Sequence, residues 1–107
     1  MKKIAAMAEA EYVMVAPHNP NGPVSTAVNL HFALSTQNFL VLEYKPDDIP
    51  ERRELVDQPM QLEDGYLLPP KRPGLGLNLN LEACIKYAYE PWHRPFYWRE
   101  DGSLGYQ

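Results

Sequence analysis

The chain has 107 residues, of which 45% are hydrophobic, and it carries a formal net charge of −4. This length predicts one small domain, and an acidic chain without a basic stripe argues against nucleic acid as a partner. No segment approaches the ~20 apolar residues that cross a bilayer, so the sequence predicts a soluble, cytoplasmic protein without membrane contact.

The amino-terminal segment predicts a helix from Lys2 to about Ala10. Its opening resembles a secretory leader, with two lysines ahead of a short apolar run. However, Glu9 and Glu11 interrupt that run before it reaches export length. The segment is therefore expected to be an outer-layer helix that continues a strand–helix alternation from upstream.

Two short apolar runs, Tyr12–Ala16 and Phe39–Leu42, have the composition of parallel strands that are covered on both faces. Between them, apolar residues at three- and four-residue spacings predict a helix from Val24 to Leu34. Gly22-Pro23 suits its start, and Ser25-Thr26 offer alternative caps. Strand, helix and strand joined this way form a right-handed crossover with parallel strands, which is an α/β arrangement.

Each predicted strand has a functional side chain at its carboxyl end, His18 after the first and Glu43 at the end of the second. Ligands gather at this end of helix-covered parallel sheets, and neighbouring strands lie about 5 Å apart. His18 and Glu43 are therefore candidate catalytic and substrate-binding residues for one small molecule. Two structural roles remain open: Glu43 as a solvated strand boundary, and His18 as a turn residue.

After Tyr44 the chain becomes charged and proline-rich, and residues 45 to 59 predict a surface excursion. Asp47 and Asp48 lie in it without the convergent spacing of a metal site. Apolar and polar residues alternate on both sides of Asp64-Gly65, and this pattern predicts a β-hairpin. The Pro73-Gly74-Leu75-Gly76 segment predicts a tight turn, because a dinucleotide loop needs a third glycine and a preceding strand.

The last third predicts a short edge strand at residues 77–79 and a helix from about Leu81 to Tyr87. Cys84 is the only cysteine, so neither a disulfide framework nor a zinc site follows, and a buried apolar role is expected for it. Residues 89–107 lack helical or strand periodicity. Their aromatic side chains predict a tail that wraps a neighbouring domain or subunit, and Arg94 or Trp98 is within possible reach of an active-site mouth.

Five motifs, in this order, resemble the carboxyl-terminal third of enolase-superfamily proteins, within the mandelate racemase and muconate lactonizing group. The resemblance is greatest to sugar-acid dehydratases of the galactonate and mannonate type. The motifs are Ala16-Pro17-His18-Asn19-Pro20 with Gly22-Pro23, Asn38-Phe39 through Leu42-Glu43-Tyr44, Asp64-Gly65-Tyr66, Pro73-Gly74-Leu75-Gly76, and Arg99-Glu100-Asp101-Gly102-Ser103.

The resemblance implies a carboxyl-terminal fragment of an enolase-type TIM-like (β/α) barrel with a separate capping domain. Residues 1–44 would supply the last two parallel strands with their crossover helix. Residues 45–107 would supply a hairpin, a short helix and a tail that packs on the cap or on a neighbouring subunit. A complete barrel takes roughly 250 residues, and two strands cannot enclose a core, so the unit is expected to need partners, including other copies of itself.

The resemblance also implies the chemistry. His18 would be the acid/base residue at the α-carbon of an acid sugar, and Glu43 would hold the substrate carboxylate as it becomes an enediolate. Mg²⁺ would stabilise that intermediate through ligands upstream of this chain, with none within it. Loss of the neighbouring hydroxyl would give a 2-keto-3-deoxy acid. Two alternatives remain: a racemase or epimerase of the same superfamily, and a truncated, non-catalytic module that folds only by association.

Overall fold

The computed structural model describes residues 1–46, 49–91 and 96–105. The described residues form four helices and two small antiparallel hairpins. In chain order these are α1 (Lys2–Ala10), α2 (Pro23–Leu34), α3 (Pro50–Glu54), β1 (Leu62–Glu63), β2 (Tyr66–Leu67), α4 (Leu81–Lys86), β3 (Tyr97–Trp98) and β4 (Leu104–Gly105). The chain is thus a mixed α/β structure, and no described helix is long and apolar enough to span a membrane.

Helix α1 has the predicted bounds, but the residue after its carboxyl end corrects a strand prediction. Tyr12 has a φ of +57°, its N–H donates to the carbonyl of Glu9, and the N–H of Val13 donates to the carbonyl of Ala8. This pair of bonds is the Schellman motif, in which the residue after the cap adopts a left-handed conformation. Tyr12 therefore ends the helix and does not begin a strand.

Helix α2 starts at Pro23, the predicted proline start, which lies one residue before the apolar pattern that begins at Val24. Pro23 takes the first helical position, where its missing N–H costs nothing, and Gly22 is the N-cap without a side-chain cap bond. Neither Ser25 nor Thr26 therefore caps the helix. The residues that α2 buries at helical spacing are Pro23, Thr26, Ala27 and Leu30, whereas Val28 and Leu34 of the predicted apolar face are exposed.

The predicted parallel strands are reduced to one parallel bridge between Val15 and Phe39. The N–H of Val15 donates to the carbonyl of Asn38 at 2.8 Å, and the N–H of Leu40 donates to the carbonyl of Val15 at 2.9 Å. Pro17 would donate the next ladder bond, but it has no N–H. Parallel pairing and strand direction are as predicted, and regular strands over Tyr12–Ala16 and Phe39–Leu42 are not.

A buried asparagine amide joins the amino-terminal helix to this bridge. The Asn38 side chain donates to the carbonyls of Ala5 and Val13, at 3.0 and 2.9 Å, and is 8% exposed. Ala5 is 2% exposed, and its small side chain lets α1 lie close to the segment that carries Asn38. At the carboxyl end of α2, Lys2 contacts the Ser35 carbonyl and lies 3.2 Å from Thr36 Oγ1.

The excursion after residue 44 closes on itself through a second bridge, antiparallel between Val56 and Leu79. It contains the predicted hairpin, whose β1 and β2 pair Leu62 with Leu67 around the turn residues Asp64 and Gly65, both of positive φ. The predicted edge strand at 77–79 is present only as this bridge. The predicted turn at Gly76 is confirmed, since the Gly76 N–H donates to the Pro73 carbonyl at 3.3 Å.

The carboxyl-terminal segment corrects the prediction of a tail without strand structure. β3 and β4 pair antiparallel, with Tyr97 opposite Gly105, and Asp101 organises the turn by accepting from the N–H and the hydroxyl of Ser103. Each strand has only two residues, too few for a period-2 pattern to be visible in the sequence. Asp47, Asp48, Trp92, His93 and Arg94 lie outside the described residues.

Candidate functional site

The two strand ends bring His18 and Glu43 into direct contact. The Glu43 N–H donates to the carbonyl of Pro17 at 3.3 Å, which places the end of the second segment beside the loop that carries His18. His18 Nδ1 contacts Glu43 Oε2, and their side chains are 78% and 49% exposed. The pair therefore lies at the surface of this chain, where a small molecule can reach both groups.

Glu43 Oε2 has a second donor, the backbone N–H of Asn19 at 3.0 Å. One oxygen of Glu43 thus accepts both from the His18 side chain and from the backbone N–H of the next residue, Asn19. Among the described residues, Glu43 Oε1 has no hydrogen-bond partner. It is the oxygen that remains for contact with a ligand.

The contact with Glu43 assigns the two imidazole nitrogens different tasks. A neutral imidazole has one N–H and one lone pair, and the nitrogen that faces a carboxylate carries the hydrogen. Nδ1 of His18 is therefore the donor to Glu43. Nε2 retains the lone pair and is the atom that can accept a proton from a substrate.

A buried polar network lies behind the pair. Asn19 is 0% exposed, its Nδ2 donates to Thr26 Oγ1 at 3.0 Å, and its Oδ1 accepts from the Ser25 hydroxyl at 2.9 Å. Sequence reasoning assigned the two hydroxyl residues to helix capping and gave Asn19 no role of its own. The signal that could have found the network is the loop Asn19-Pro20-Asn21-Gly22-Pro23 running directly into Ser25 and Thr26.

The described residues do not fit a Mg²⁺ site. They contain no group of three or more His, Cys, Asp or Glu side chains that could hold a metal ion. Mg²⁺ prefers near-octahedral oxygen coordination, whereas the site offers one carboxylate already bonded to an imidazole and a peptide N–H. Arg94 and Trp98 are the two residues that the sequence places within reach of an active-site mouth, and Arg94 lies outside the described residues. Trp98 lies on β3, and its side chain is 70% exposed.

A histidine and a carboxylate meet where two parallel-paired segments end. This arrangement is typical of α/β proteins, in which functional groups lie at the carboxyl ends of parallel strands. Residues 1–83 match the family model described as enolase C-terminal domain-like. The chain therefore belongs to the enolase C-terminal domain-like family, of the mandelate racemase and muconate lactonizing type.

Named relatives include sugar-acid dehydratases. A D-galactonate dehydratase family member from Streptomyces bingchenggensis is 36% identical over 106 residues, which are 97% of this chain and 26% of that protein. An enolase from Agrobacterium radiobacter, solved with sodium and L-malate bound, is 41% identical with a TM-score of 0.85, over 97% of this chain and 30% of that one.

The solved neighbours also include a different activity name. A provisionally named L-alanine-DL-glutamate epimerase from Burkholderia xenovorans, bound to magnesium and fumarate, is 36% identical with a TM-score of 0.74. That match covers 78% of this chain and 21% of the neighbour. The chain spans about a quarter of the length of the curated relatives that it matches.

Proposed function

We propose that this chain supplies part of the active site of a sugar-acid dehydratase, in which His18 moves the proton and Glu43 holds the substrate carboxylate. The observation that carries the proposal is the contact of His18 Nδ1 with Glu43 Oε2 at the ends of two parallel-paired segments. The dehydratase names among its relatives support the substrate class, an aldonic acid.

The site residues suit removal of a proton α to a carboxylate. Nε2 of His18 takes the proton from the α-carbon, and the electron pair of that C–H bond moves into an enediolate. Glu43 contacts the carboxylate end of the substrate through Oε1, while Oε2 still accepts from His18 and Asn19. The proton held on His18 Nε2 then passes to the β-hydroxyl, the C–O bond breaks and water leaves. The remaining enol becomes a 2-keto-3-deoxy acid when its hydroxyl proton is lost and a solvent proton adds to the β-carbon.

The proposal includes Mg²⁺ as cofactor, with its ligands outside the described residues, because a solved neighbour holds magnesium. It also places residues 1–44 in the barrel, and residues 45–107 against a cap or a neighbouring copy in a homo-oligomer. Exposed apolar side chains on both parts support burial against other elements. They include Ile4, Met7, Leu40, Tyr89 and Trp98.

The experiment is replacement of His18 in the complete enzyme with Mg²⁺ present. A panel of aldonic acids is assayed for 2-keto-3-deoxy product. We expect His18→Asn to lower kcat by on the order of 10²- to 10⁴-fold, the usual contribution of a positioned acid/base, with metal binding retained. His31→Asn is the matched control, since His31 lies in the last turn of α2 and makes no contact with the pair. Unchanged turnover in His18→Asn would remove His18 from the mechanism.

Epimerisation is the second candidate, favoured by the epimerase name of one solved neighbour. It shares the proton removal and differs in returning a proton to the same carbon with no loss of water. Product analysis in D₂O separates the two: dehydration yields a keto acid, and epimerisation yields a deuterated diastereomer. A third candidate, a non-catalytic module that folds by association, would be contradicted by turnover of the purified chain alone.

A further inference from the structure

Asn19 separates the exposed pair from the helix behind it. Its neighbour His18 is exposed, whereas Asn19 itself is 0% exposed, and both ends of its amide are hydrogen-bonded to α2. A buried amide whose nitrogen and oxygen both hydrogen-bond to the same helix fixes the backbone that carries it.

The orientation of the amide follows from the direction of the hydroxyl bonds. The Thr26 hydroxyl donates to the Gly22 carbonyl at 3.3 Å, so its oxygen is left to accept from Asn19 Nδ2. The Ser25 hydroxyl then donates to Asn19 Oδ1. A flipped amide would place its oxygen against a hydroxyl whose hydrogen is already used.

The backbone of the same residue holds the carboxylate. The Asn19 N–H donates to Glu43 Oε2 at 3.0 Å, and this is the oxygen that contacts His18. Through one residue, therefore, the first turn of α2 determines where both groups of the pair lie.

We infer that Asn19, anchored by Ser25 and Thr26, is a positioning residue. It fixes the His18 ring relative to the Glu43 carboxylate, so that Nε2 of His18 keeps its lone pair free. The kinetic test of this role rests on the proposed function, and the spectroscopic test does not. A mutation far from the reacting atoms that misplaces the reacting groups by about 1 Å can cost on the order of 100-fold in rate, so loss of the anchor should have a measurable effect.

The test compares three variants of the complete enzyme with Mg²⁺. Thr26→Val removes the acceptor for Asn19 at nearly constant shape, and Thr26→Ser restores it. Asn38→Ala is the matched structural control, because Asn38 is another buried asparagine that ties backbone segments together without contacting the pair. Measurements are kcat, KM, the thermal midpoint, and ring ¹⁵N shifts of His18 read through its carbon-bound protons.

We expect Thr26→Val to lower kcat and kcat/KM on the order of 10- to 100-fold, because both the base and the group that holds the substrate carboxylate lose their fixed position. The ring ¹⁵N shifts of His18 should move from the Nδ1–H pattern toward a tautomer mixture. Thr26→Ser should restore the rate and the ring shifts, and Asn38→Ala should lower the thermal midpoint while leaving kcat and the ring shifts as in wild type.

Two results would overturn the inference. One is a Thr26→Val enzyme with wild-type ring shifts, and the other is an Asn38→Ala enzyme with the same shift change as Thr26→Val. If the wild-type enzyme dehydrates none of the acids, the proposed function fails. The ring shifts of the variants then decide the positioning role on their own.

Discussion

At the scale of single residues, the site depends on a difference in burial between neighbours. The His18 side chain is 78% exposed, whereas the adjacent residue Asn19 is 0% exposed and hydrogen-bonded to α2. The sequence predicted that His18 and Glu43 lie together, because residue type and strand-end position are both visible in it, and the contact between the two side chains agrees with that placement. Sequence reasoning missed Asn19, because burial of an asparagine depends on which hydroxyls the fold brings to it.

Asp57, outside the His18–Glu43 pair, has a carboxylate that is also held in place by hydrogen bonds. The backbone N–H of Asn78 and the Arg72 guanidinium lower the pKa of its carboxyl from 3.8 to about 2. Both bonds are short, at 2.8 Å, and they close the excursion beside the Val56–Leu79 bridge. The Asp57 carboxylate therefore closes this part of the chain, because its charge binds Arg72 and Asn78 to the segment after α3.

A pH dependence of stability follows from this closure. A carboxyl group whose pKa is lower in the folded than in the unfolded state stabilises the fold at pH values above its unfolded-state pKa. For Asp57 that contribution is lost as the pH falls from about 4 to about 2. We expect urea midpoints of wild type to fall more between pH 6 and pH 3 than those of Asp57→Asn. Asp64→Asn is the control, since Asp64 has no hydrogen-bond or ion-pair partner among the described residues. Equal pH dependence in wild type and Asp57→Asn would contradict the closure.

At the scale of elements, the sequence predicted what local chemistry determines. The bounds of α1, the first hairpin and the proline start of α2 follow from periodicity, an Asp-Gly turn and the fixed φ of proline. The parallel strands were predicted too long, because Tyr12 ends a helix and Pro17 cannot donate to a ladder. The β3–β4 hairpin was missed because a two-residue strand has no readable period.

The turn at Gly76 provides a matched pair of glycines. Gly76 and Gly74 both have positive φ, +80° and +68°. A Cβ on Gly76 would lie 2.2 Å from Pro70 Cβ, whereas a Cβ on Gly74 would meet nothing within 4 Å. Both substitutions carry the left-handed backbone cost, and only one also carries a clash with a rigid ring.

We expect Gly74→Ala to destabilise the protein by about 1 kcal/mol, from the backbone conformation alone. Gly76→Ala should cost more than about 2 kcal/mol, because overpacking adds to the same backbone term. Equilibrium urea unfolding of the two variants measures the difference. Equal losses of stability would show that Pro70 does not restrict this position.

At the scale of the whole molecule, the described structure is open. Its Cα radius of gyration is 17.6 Å, compared with about 13 Å for a compact domain of this length. Among the described residues, the buried apolar side chains form a short set: Ala5, Pro23, Ala27, Leu30, Phe32, Val56 and Ala83. A core of this size does not offset the entropy of ordering the chain, so the structure is expected to be stable only against other elements.

An apolar groove marks one such surface. It has a volume of about 520 Å³ and lies between the carboxyl-terminal part of α2, the segment that ends at Glu43, and the first hairpin. Residues that line it include Leu34, Leu40, Tyr44, Leu62 and Tyr66. Leu42 and Tyr44, the two neighbours of Glu43 in the chain, line this groove.

The most direct measurement of the central claim is a crystal structure of the complete enzyme with an unreactive acid-sugar analogue. We expect His18 Nε2 to face the α-carbon of the analogue, and Glu43 Oε1 to lie within hydrogen-bond distance of its carboxylate. A bound analogue that contacts neither group, or strand ends that hold His18 and Glu43 apart, would contradict the account.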